Sequence, residues 1–150
     1  MSKKIYIASD HAGFELKEKL KNYLKDKSFE LEDLGTNNEN SVDYPDYAFK
    51  LGEKVAGDLE SLGILICGTG IGMSMAANKV KGIRAAHCDN WKEAEMTRKH
   101  NKANVLCLGA RIIDYDLAVK IIDAFLKNNF ESGRHERRVG KIEKYENHEL

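Results

Sequence analysis

The stretch Gly63–Gly72, GILICGTGIG, joins a short apolar run to a glycine-rich turn at a single cysteine, Cys67. The apolar run has the length and continuous apolar character of a strand covered on both faces. Glycine at alternate positions in the turn allows unusual torsion angles and a close approach of the backbone to a ligand. The following pattern, MSMAANKV over 73–80, predicts a helix. The stretch therefore predicts a strand–turn–helix unit with a candidate ligand loop at its centre.

The same unit recurs along the chain. The patterns predict strands over 3–9, 29–35, 63–67, 83–88 and 104–109, and helices over 13–26, 44–60, 73–80, 90–100 and 114–130. Pro45 falls in the first turn of the second helix, where proline is tolerated. Alternating strands and helices predict an α/β fold, here a Rossmann-like, three-layer α/β/α sandwich with five parallel strands and right-handed crossovers. A helical C-terminal tail should complete the chain.

Length and composition narrow the class of protein. The 150 residues predict a single domain over 1–150, and the 24 basic and 24 acidic residues balance, which argues against a nucleic-acid or acidic-membrane partner. The N-terminal residues contain no long apolar stretch, so we expect neither a signal peptide nor a membrane span, and a cytoplasmic location. The three cysteines are far apart and form no C-x-x-C pair, as expected for free thiols in a reducing compartment.

A parallel sheet of this kind binds its ligand beyond the carboxyl ends of its strands. The residues at or directly after the ends of the predicted strands are Asp10 and His11, Gly35 and Thr36, Cys67 to Thr69, Asp89 and Asn90, and Gly109 to Arg111. Arg111 is the candidate phosphate ligand that this position favours. Arg134 and Arg138 are four residues apart and share a face if the tail is helical, which suits a phosphate, but a solvated charge run is the alternative.

Several of these residues have a structural interpretation beside the functional one. Cys67 is either a small strand residue or a thiol activated by the helix that follows the loop, because a helix N-terminus generally favours a thiolate. Cys88 and Cys107 are interpreted as buried apolar residues. Asp10 is also a candidate N-cap of the first helix. His100 is either a cation at a helix C-terminus or a general acid or base.

Familiar nucleotide and metal motifs do not fit. The chain has no G-x-x-x-x-G-K-[ST], and the dinucleotide fingerprint needs a glycine at position 73 or 75, where both residues are Met. Asp89 resembles the ribose-binding acid of that fingerprint, so a non-catalytic nucleotide-binding domain remains a minor alternative. His87 and Cys88 point to opposite faces of their strand, and no spacing is typical of zinc, so no metal site is expected.

Five separated motifs resemble ribose-5-phosphate isomerase type B and the related galactose-6-phosphate isomerase subunits. They are SDHAG, DYPDYA, CGTGIGMSMAANKVKGIRAA, RKHNKANVLCLGAR and GRHERRV, within a similarity from about residue 4 to residue 140. The resemblance implies an aldose–ketose isomerase without metal or organic cofactor. Its expected reaction interconverts D-ribose 5-phosphate and D-ribulose 5-phosphate through an enediolate, in the non-oxidative pentose phosphate pathway. Allose-6-phosphate or galactose-6-phosphate isomerisation is the alternative.

The resemblance also implies roles for individual residues. Cys67 would move the proton between C1 and C2, because the acid that some members place shortly after the loop is absent from IGMSM here. The backbone amides that would hold the enediolate oxygens belong to Gly68, Thr69, Gly70, Ile71 and Gly72, with Thr69 also supporting the site. His100 would open the furanose ring. The sugar hydroxyls would contact Asp10, His11 and Asn101, and the phosphate Arg111, Arg134 and Arg138, with Arg137 as an additional basic residue; Tyr44 would line the pocket.

The resemblance further implies a homodimer or a dimer of dimers with shared active sites. The tail, about 130–150, would pack on a partner subunit and bring its arginines to that subunit's phosphate site. The sequence leaves the dimer and the tetramer open, as it leaves open the five-carbon and the six-carbon substrate.

Overall fold

The computed structural model describes residues 3–150, and strands and helices alternate along them in the predicted order. The strands are β1 (Lys4–Ser9), β2 (Glu30–Asp33), β3 (Leu62–Cys67), β4 (Ala85–His87) and β5 (Val105–Gly109). The helices are α1 (Phe14–Lys25), α2 (Tyr44–Ala56), α3 (Ile71–Ala77), α4 (Trp91–Asn101), α5 (Tyr115–Lys127) and α6 (Arg134–Glu146). No helix of this described part is both long and apolar enough to cross a membrane.

The boundaries of several elements differ from the sequence prediction. Strands β2 and β4 are shorter than the predicted 29–35 and 83–88, because both lie at a sheet edge and pair on one side only. Helix α3 begins at Ile71, two residues before the predicted start, and α2 ends at Ala56 rather than at 60. The prediction of five parallel strands in an α/β fold is confirmed.

The sheet has the strand order β2-β1-β3-β5-β4. The chain leaves β1 for β2 on one side and then returns across the sheet to place β3 on the other side of β1. The connections after β1 and β3 therefore depart in opposite directions and open a crevice between the carboxyl ends of these strands. Such a switch point is where open α/β sheets bind ligands. Asp10 and Cys67 lie at this position.

Helices cover both faces of the sheet, which explains the continuous apolar character of its central strands. Successive side chains of β1 and β3 point to opposite faces. Ile7 and Ile64 join the apolar cluster beneath α1, α4 and α5. Leu65 and Cys67 join the cluster beneath α2 and α3. Cys67 thus lies on the same side of the sheet as the helix that follows its loop.

A buried ion pair fixes the segment that follows β2. The fully buried Lys17 places its Nζ 2.6 Å from Oδ2 of Asp33, and Lys21 approaches the same oxygen at 2.7 Å. Burial by itself raises the pKa of the Asp33 carboxyl, but the hydrogen bonds from Lys17, Lys21 and the amide of Gly35 outweigh it and hold that pKa below its usual value. Gly35 in turn accepts a 2.7 Å hydrogen bond from the amide of Ser9. The pair therefore supports the backbone beside the switch point.

Replacing Asp33 with asparagine should lower the free energy of unfolding at pH 7 by about 3 kcal/mol, measured by urea denaturation. The change leaves the buried ammonium of Lys17 with Glu18 as its remaining carboxylate, 3.0 Å away. Because the folded-state pKa of Asp33 is depressed, its contribution is present above the unfolded-state value of about 3.9 and is lost as the pH falls through the folded-state value. The difference between wild type and variant should accordingly shrink in acid.

A matched control is Glu30→Gln, which removes a mostly exposed carboxylate 3.2 Å from Lys4. Exposed pairs contribute about 0–1 kcal/mol, so this variant should unfold almost as wild type does. Equal stability losses in the two variants would contradict the structural role assigned to Asp33.

Candidate active site

The loop between β3 and α3 places a backbone amide against the thiol of Cys67. The amide of Gly70 donates to Cys67 Sγ at 3.1 Å. An N–H directed at sulfur stabilises negative charge on it. Helix α3 has seven residues, close to the short helix predicted over 73–80, and the hydrogen bond from Gly70 is the direct contact of the loop with the sulfur. Cys67 therefore stands in a position suited to a base.

The loop is held tightly between the ends of β4 and β5. Gly70 adopts a left-handed conformation with φ of 83°, and a Cβ there would lie 2.7 Å from Cδ2 of His87 and 2.9 Å from the carbonyl carbon of Leu108. Only glycine fits this position. Within residues 3–150, the amides of Gly68 and Thr69 have no hydrogen-bond acceptor. These two N–H groups are available to a ligand oxygen.

Arg111 and Tyr44 both lie beside the loop. The amide of Arg111 donates to the carbonyl of Gly68 at 2.9 Å, and its Nη1 lies 3.1 Å from where a Cβ at Gly68 would be. The ring of Tyr44 lies 2.6 Å from the corresponding position at Gly72. No carboxylate of the described chain forms an ion pair with Arg111. Its guanidinium is free to bind an anion.

Asp10 and His11 follow β1 on the opposite side of the crevice. The amide of Asp10 donates to the carbonyl of Ile66 at 3.1 Å, which holds Asp10 next to the end of β3. Its carboxylate accepts from the amide of Gly13 at 3.1 Å. The prediction that Asp10 caps α1 needs correction, because α1 begins at Phe14 and Asp10 instead closes the turn before it.

The imidazole of His11 has a defined tautomer. Its Nδ1 accepts a 3.1 Å hydrogen bond from the amide of Val42, so the proton of the neutral ring lies on Nε2. Nε2–H is thereby left as a donor for a ligand.

The other two cysteines are confirmed as core residues. Burial, with smaller contributions from Glu93 and Asp89, raises the pKa of Cys88 to about 12. Complete burial raises the pKa of Cys107 well above its ordinary value. Both remain neutral thiols at physiological pH.

His100 and Asn101 lie at the other end of the molecule. Helix α4 starts beyond the carboxyl end of β4 and runs back to the amino end of β5. Its last turn therefore lies at the amino ends of the strands, whereas Cys67 lies at the carboxyl end of β3. The length of β5 alone separates the two edges by about 13 Å. One chain therefore does not bring His100 and Cys67 together, because a crossover helix runs antiparallel to its strands.

The last turn of α4 contacts the start of the tail. The ring of His100 stacks on that of His135, with centroids 4.2 Å apart and an interplanar angle of 13°. Oε1 of Glu131 lies 3.9 Å from Nε2 of His100. Loss of solvent around the ring, together with the neighbouring His100 and Arg134, lowers the pKa of His135. The neutral form of His135 is thus favoured.

One face of helix α6, the open face, carries both polar and apolar side chains and is exposed to solvent. The side chains spaced along this face are Arg134, Arg138, Ile142 and Tyr145, all of which are exposed. The other face packs on its own chain, since Glu146 accepts from the amide of Gly82 at 3.0 Å and Glu143 lies 3.6 Å from Arg84. These contacts within the chain were not anticipated from the sequence. The packing of the tail on a partner stays a prediction.

The sequence of this chain is similar to those of known proteins. The family described as Ribose/Galactose Isomerase matches residues 5–142. The chain belongs to this isomerase family. A probable ribose-5-phosphate isomerase B from Mycoplasma genitalium is 51% identical over 148 residues, 97% of each chain. Ribose-5-phosphate isomerase B from Escherichia coli is 45% identical over 140 residues, 93% of this chain and 94% of the relative.

Solved structures of isomerase family members share the fold. Ribose-5-phosphate isomerase B from Mycoplasma genitalium with bound ribulose-5-phosphate matches with a TM-score of 0.94 at 51% identity, over 96% of each chain. The Clostridium thermocellum ribose-5-phosphate isomerase B matches with a TM-score of 0.94 at 50% identity, over 98% of this chain and 99% of that one. These matches favour the isomerase interpretation over the nucleotide-binding alternative.

The structure adds to the candidate site a side chain that the sequence analysis considered only as a metal ligand. His87 contacts the loop at Gly70, and its Nε2 lies 3.0 Å from Oδ1 of Asp89. The available signal was its position at the carboxyl end of a strand, where ligand sites of parallel sheets form. Glu131 and His135 were also missed, because only the folded tail brings them to His100.

Proposed function

We propose that the chain interconverts D-ribose 5-phosphate and D-ribulose 5-phosphate without a metal, a reaction of the non-oxidative pentose phosphate pathway. The observation that supports this most directly is the hydrogen bond from the amide of Gly70 to Cys67 Sγ, beside two unpaired loop amides. A base next to donors for a developing oxyanion is what an enediolate mechanism requires. The family relative from Mycoplasma genitalium with bound ribulose-5-phosphate supports the choice of substrate.

The proton transfer uses Cys67 alone. Its thiolate removes the proton from C2 of the open-chain aldose, and the electron pair moves onto the carbonyl oxygen O1 to give an enediolate. The amides of Gly68 and Thr69 donate to the oxygen that gains charge. Cys67 then returns the proton to C1, while the hydroxyl proton passes from O2 to O1. The thiolate is regenerated, and no electrons leave the substrate.

The complete site is formed between two copies of the chain in this proposal. His100 of the partner subunit protonates the ring oxygen of the furanose so that it opens, and Asn101 of the partner subunit holds a sugar hydroxyl. Neither residue reaches the loop of its own chain, because the fold places both at the opposite edge of the sheet. In a two-fold dimer, each of the two sites contains the loop of one subunit together with His100 and Asn101 of the partner subunit.

Exposed apolar side chains support the same assembly as a homodimer or a dimer of dimers. Ile71 and Met75 lie on one face of α3 next to the glycine loop, and Met75 is 66% exposed. On the open face of α6, Tyr145 is 73% exposed and follows Ile142 by three residues. Exposed apolar side chains grouped on one face of a helix are typical of subunit contacts.

The phosphate is bound by guanidinium donors from both chains. Arg111 approaches from the chain that carries Cys67, and Nε2–H of His11 on the same chain contacts a sugar hydroxyl. Arg134 and Arg138 of the partner subunit approach from the open face of α6, and no carboxylate of residues 3–150 forms an ion pair with either of them. Arginine suits this role because its planar fork binds two phosphate oxygens at once.

A kinetic comparison tests the substrate. We expect kcat/KM for ribose 5-phosphate to exceed that for allose 6-phosphate and galactose 6-phosphate by about tenfold or more, because an extra carbon must fit the same pocket. The family description includes galactose, so a faster six-carbon reaction is the alternative, and it would overturn this choice of substrate. Activity should persist in EDTA; loss in EDTA with recovery on adding one metal would contradict metal independence.

A further inference from the structure

We infer that His100, Glu131 and His135 form a binding site for a first-row transition-metal cation such as Zn²⁺, and that occupancy of this site inhibits the isomerase. One ligand atom from each of the three side chains lies within 4.8 Å of the other two. Two imidazoles and a carboxylate are a donor set that zinc and related ions accept. The inhibitory role rests on the proposed function, whereas the metal site itself does not.

The geometry needs only side-chain rotation to reach coordination. Tetrahedral zinc with bonds of about 2.0–2.2 Å holds its ligand atoms about 3.3 Å apart, so each donor must move by about an ångström. The two imidazole rings are stacked, and the nitrogen lone pairs lie in the ring planes, so the rings must turn for the lone pairs to converge. Glu131 is 51% exposed and His100 is about one-third exposed, which leaves room for this rotation. A fourth position stays open to solvent.

The backbones that carry the three donors are already held together. The amide of Glu131 donates to the carbonyl of Lys99 at 3.1 Å, one residue before His100. The Nε of Arg98 donates to the carbonyl of Asn128 at 3.1 Å, which anchors the same segment to α4. The amide of His135 donates to the carbonyl of Ser132 at 3.1 Å. Binding therefore orders three side chains and leaves the main chain in place.

The surrounding charge moderates the affinity. Glu131 supplies the one negative charge of the cluster, whereas Lys99 and Arg134 are adjacent in sequence to the two histidines. Lys99 is paired with Glu95 at 2.6 Å, which reduces its repulsion of a cation. We expect reversible binding of moderate strength, as suits an inhibitory site rather than a structural one.

Metal ligation and catalysis compete for His100. In the proposed function, His100 of one subunit completes the sugar site of the other. An imidazole nitrogen bonded to a metal cannot donate a proton to the ring oxygen of the furanose. Zinc should accordingly act as a competitive inhibitor of ribose 5-phosphate, and EDTA should reverse the inhibition.

A binding titration on the full, tag-free chain tests the site independently of activity. Competition between the protein and a chromogenic chelator should show one zinc bound per chain. Glu131→Gln and His135→Asn should each weaken zinc binding by about tenfold or more. Cys67→Ser should keep it, which separates this site from the thiol. Circular dichroism verifies that the variants are folded. Absence of stoichiometric zinc, unchanged affinity in both ligand variants, or loss of binding in Cys67→Ser would overturn the site.

Initial rates with and without zinc test the inhibition. For each variant, the rate with zinc is divided by the rate without zinc, which corrects for any change in its basal activity. Glu131→Gln and His135→Asn should need about tenfold more zinc than wild type for the same fractional inhibition. Equal sensitivity in wild type and variants would overturn the inhibitory role. If the chain shows no isomerase activity, the proposed function fails, and the titration still decides the metal site.

Discussion

Replacing Cys67 with alanine should lower kcat/KM for ribose 5-phosphate by about 10²–10⁴-fold, the usual contribution of a positioned base. The side chain accepts the hydrogen bond from Gly70 at the end of β3. Its removal takes away the group that exchanges the proton in the proposed mechanism. Exchange of the C2 hydrogen with solvent deuterium, followed by proton NMR, should be lost to the same extent. The fold should persist, since the residue lies at a strand end beside the loop.

Cys88→Ala is the matched control for this variant. Cys88 is buried in the cluster on the opposite face of the sheet, and its pKa is raised to about 12. The Cys88→Ala variant should retain nearly the wild-type rate. A rate for Cys67→Ala within tenfold of wild type would show that another group is the base. Alkylation by iodoacetamide should inactivate wild type, with substrate protecting it, and should do the same to Cys88→Ala.

Mixing two inactive variants should restore about a quarter of the wild-type activity. Cys67→Ala lacks the proposed base, and Arg134→Ala lacks a proposed phosphate ligand that lies at the opposite end of the strands. When subunits exchange at random, half of the dimers are mixed, and each mixed dimer has one intact site and one site without either residue. The recovery follows because the fold separates the two residues within a chain.

A second mixture provides the control. Cys67→Ala and Arg111→Ala both alter the half-site around the glycine loop, because the amide of Arg111 is hydrogen-bonded to Gly68 of its own chain. No combination of these two chains contains an intact site, so their mixture should stay inactive. Mass spectrometry verifies subunit exchange in both experiments. Recovery in the second mixture, or none in the first despite exchange, would contradict the shared site.

Local sequence determined the elements and the positions of the residues that end them. Apolar runs bounded by small residues predicted five strands, and the GILICGTGIG stretch placed Cys67 at the end of β3 and glycine at the left-handed position 70. Asp10 and Arg111 were selected by the same reasoning, since each lies within two residues of the end of a strand. These inferences succeed because strand periodicity, turn geometry and helix spacing depend on residues close together in the chain.

Tertiary structure decided which of these residues meet. The strand order β2-β1-β3-β5-β4 created the crevice between β1 and β3, and the sequence contains no local signal for that order. The antiparallel course of α4 carried His100 to the far edge, and the folded tail stacked His135 on it. The Lys17–Asp33 pair likewise joins two residues whose positions in the sequence do not indicate that they would pair. Contacts between distant segments arise from the packing of whole elements. The sequence alone therefore predicted the candidate site residues, and the fold determined that one chain holds them in two separate groups.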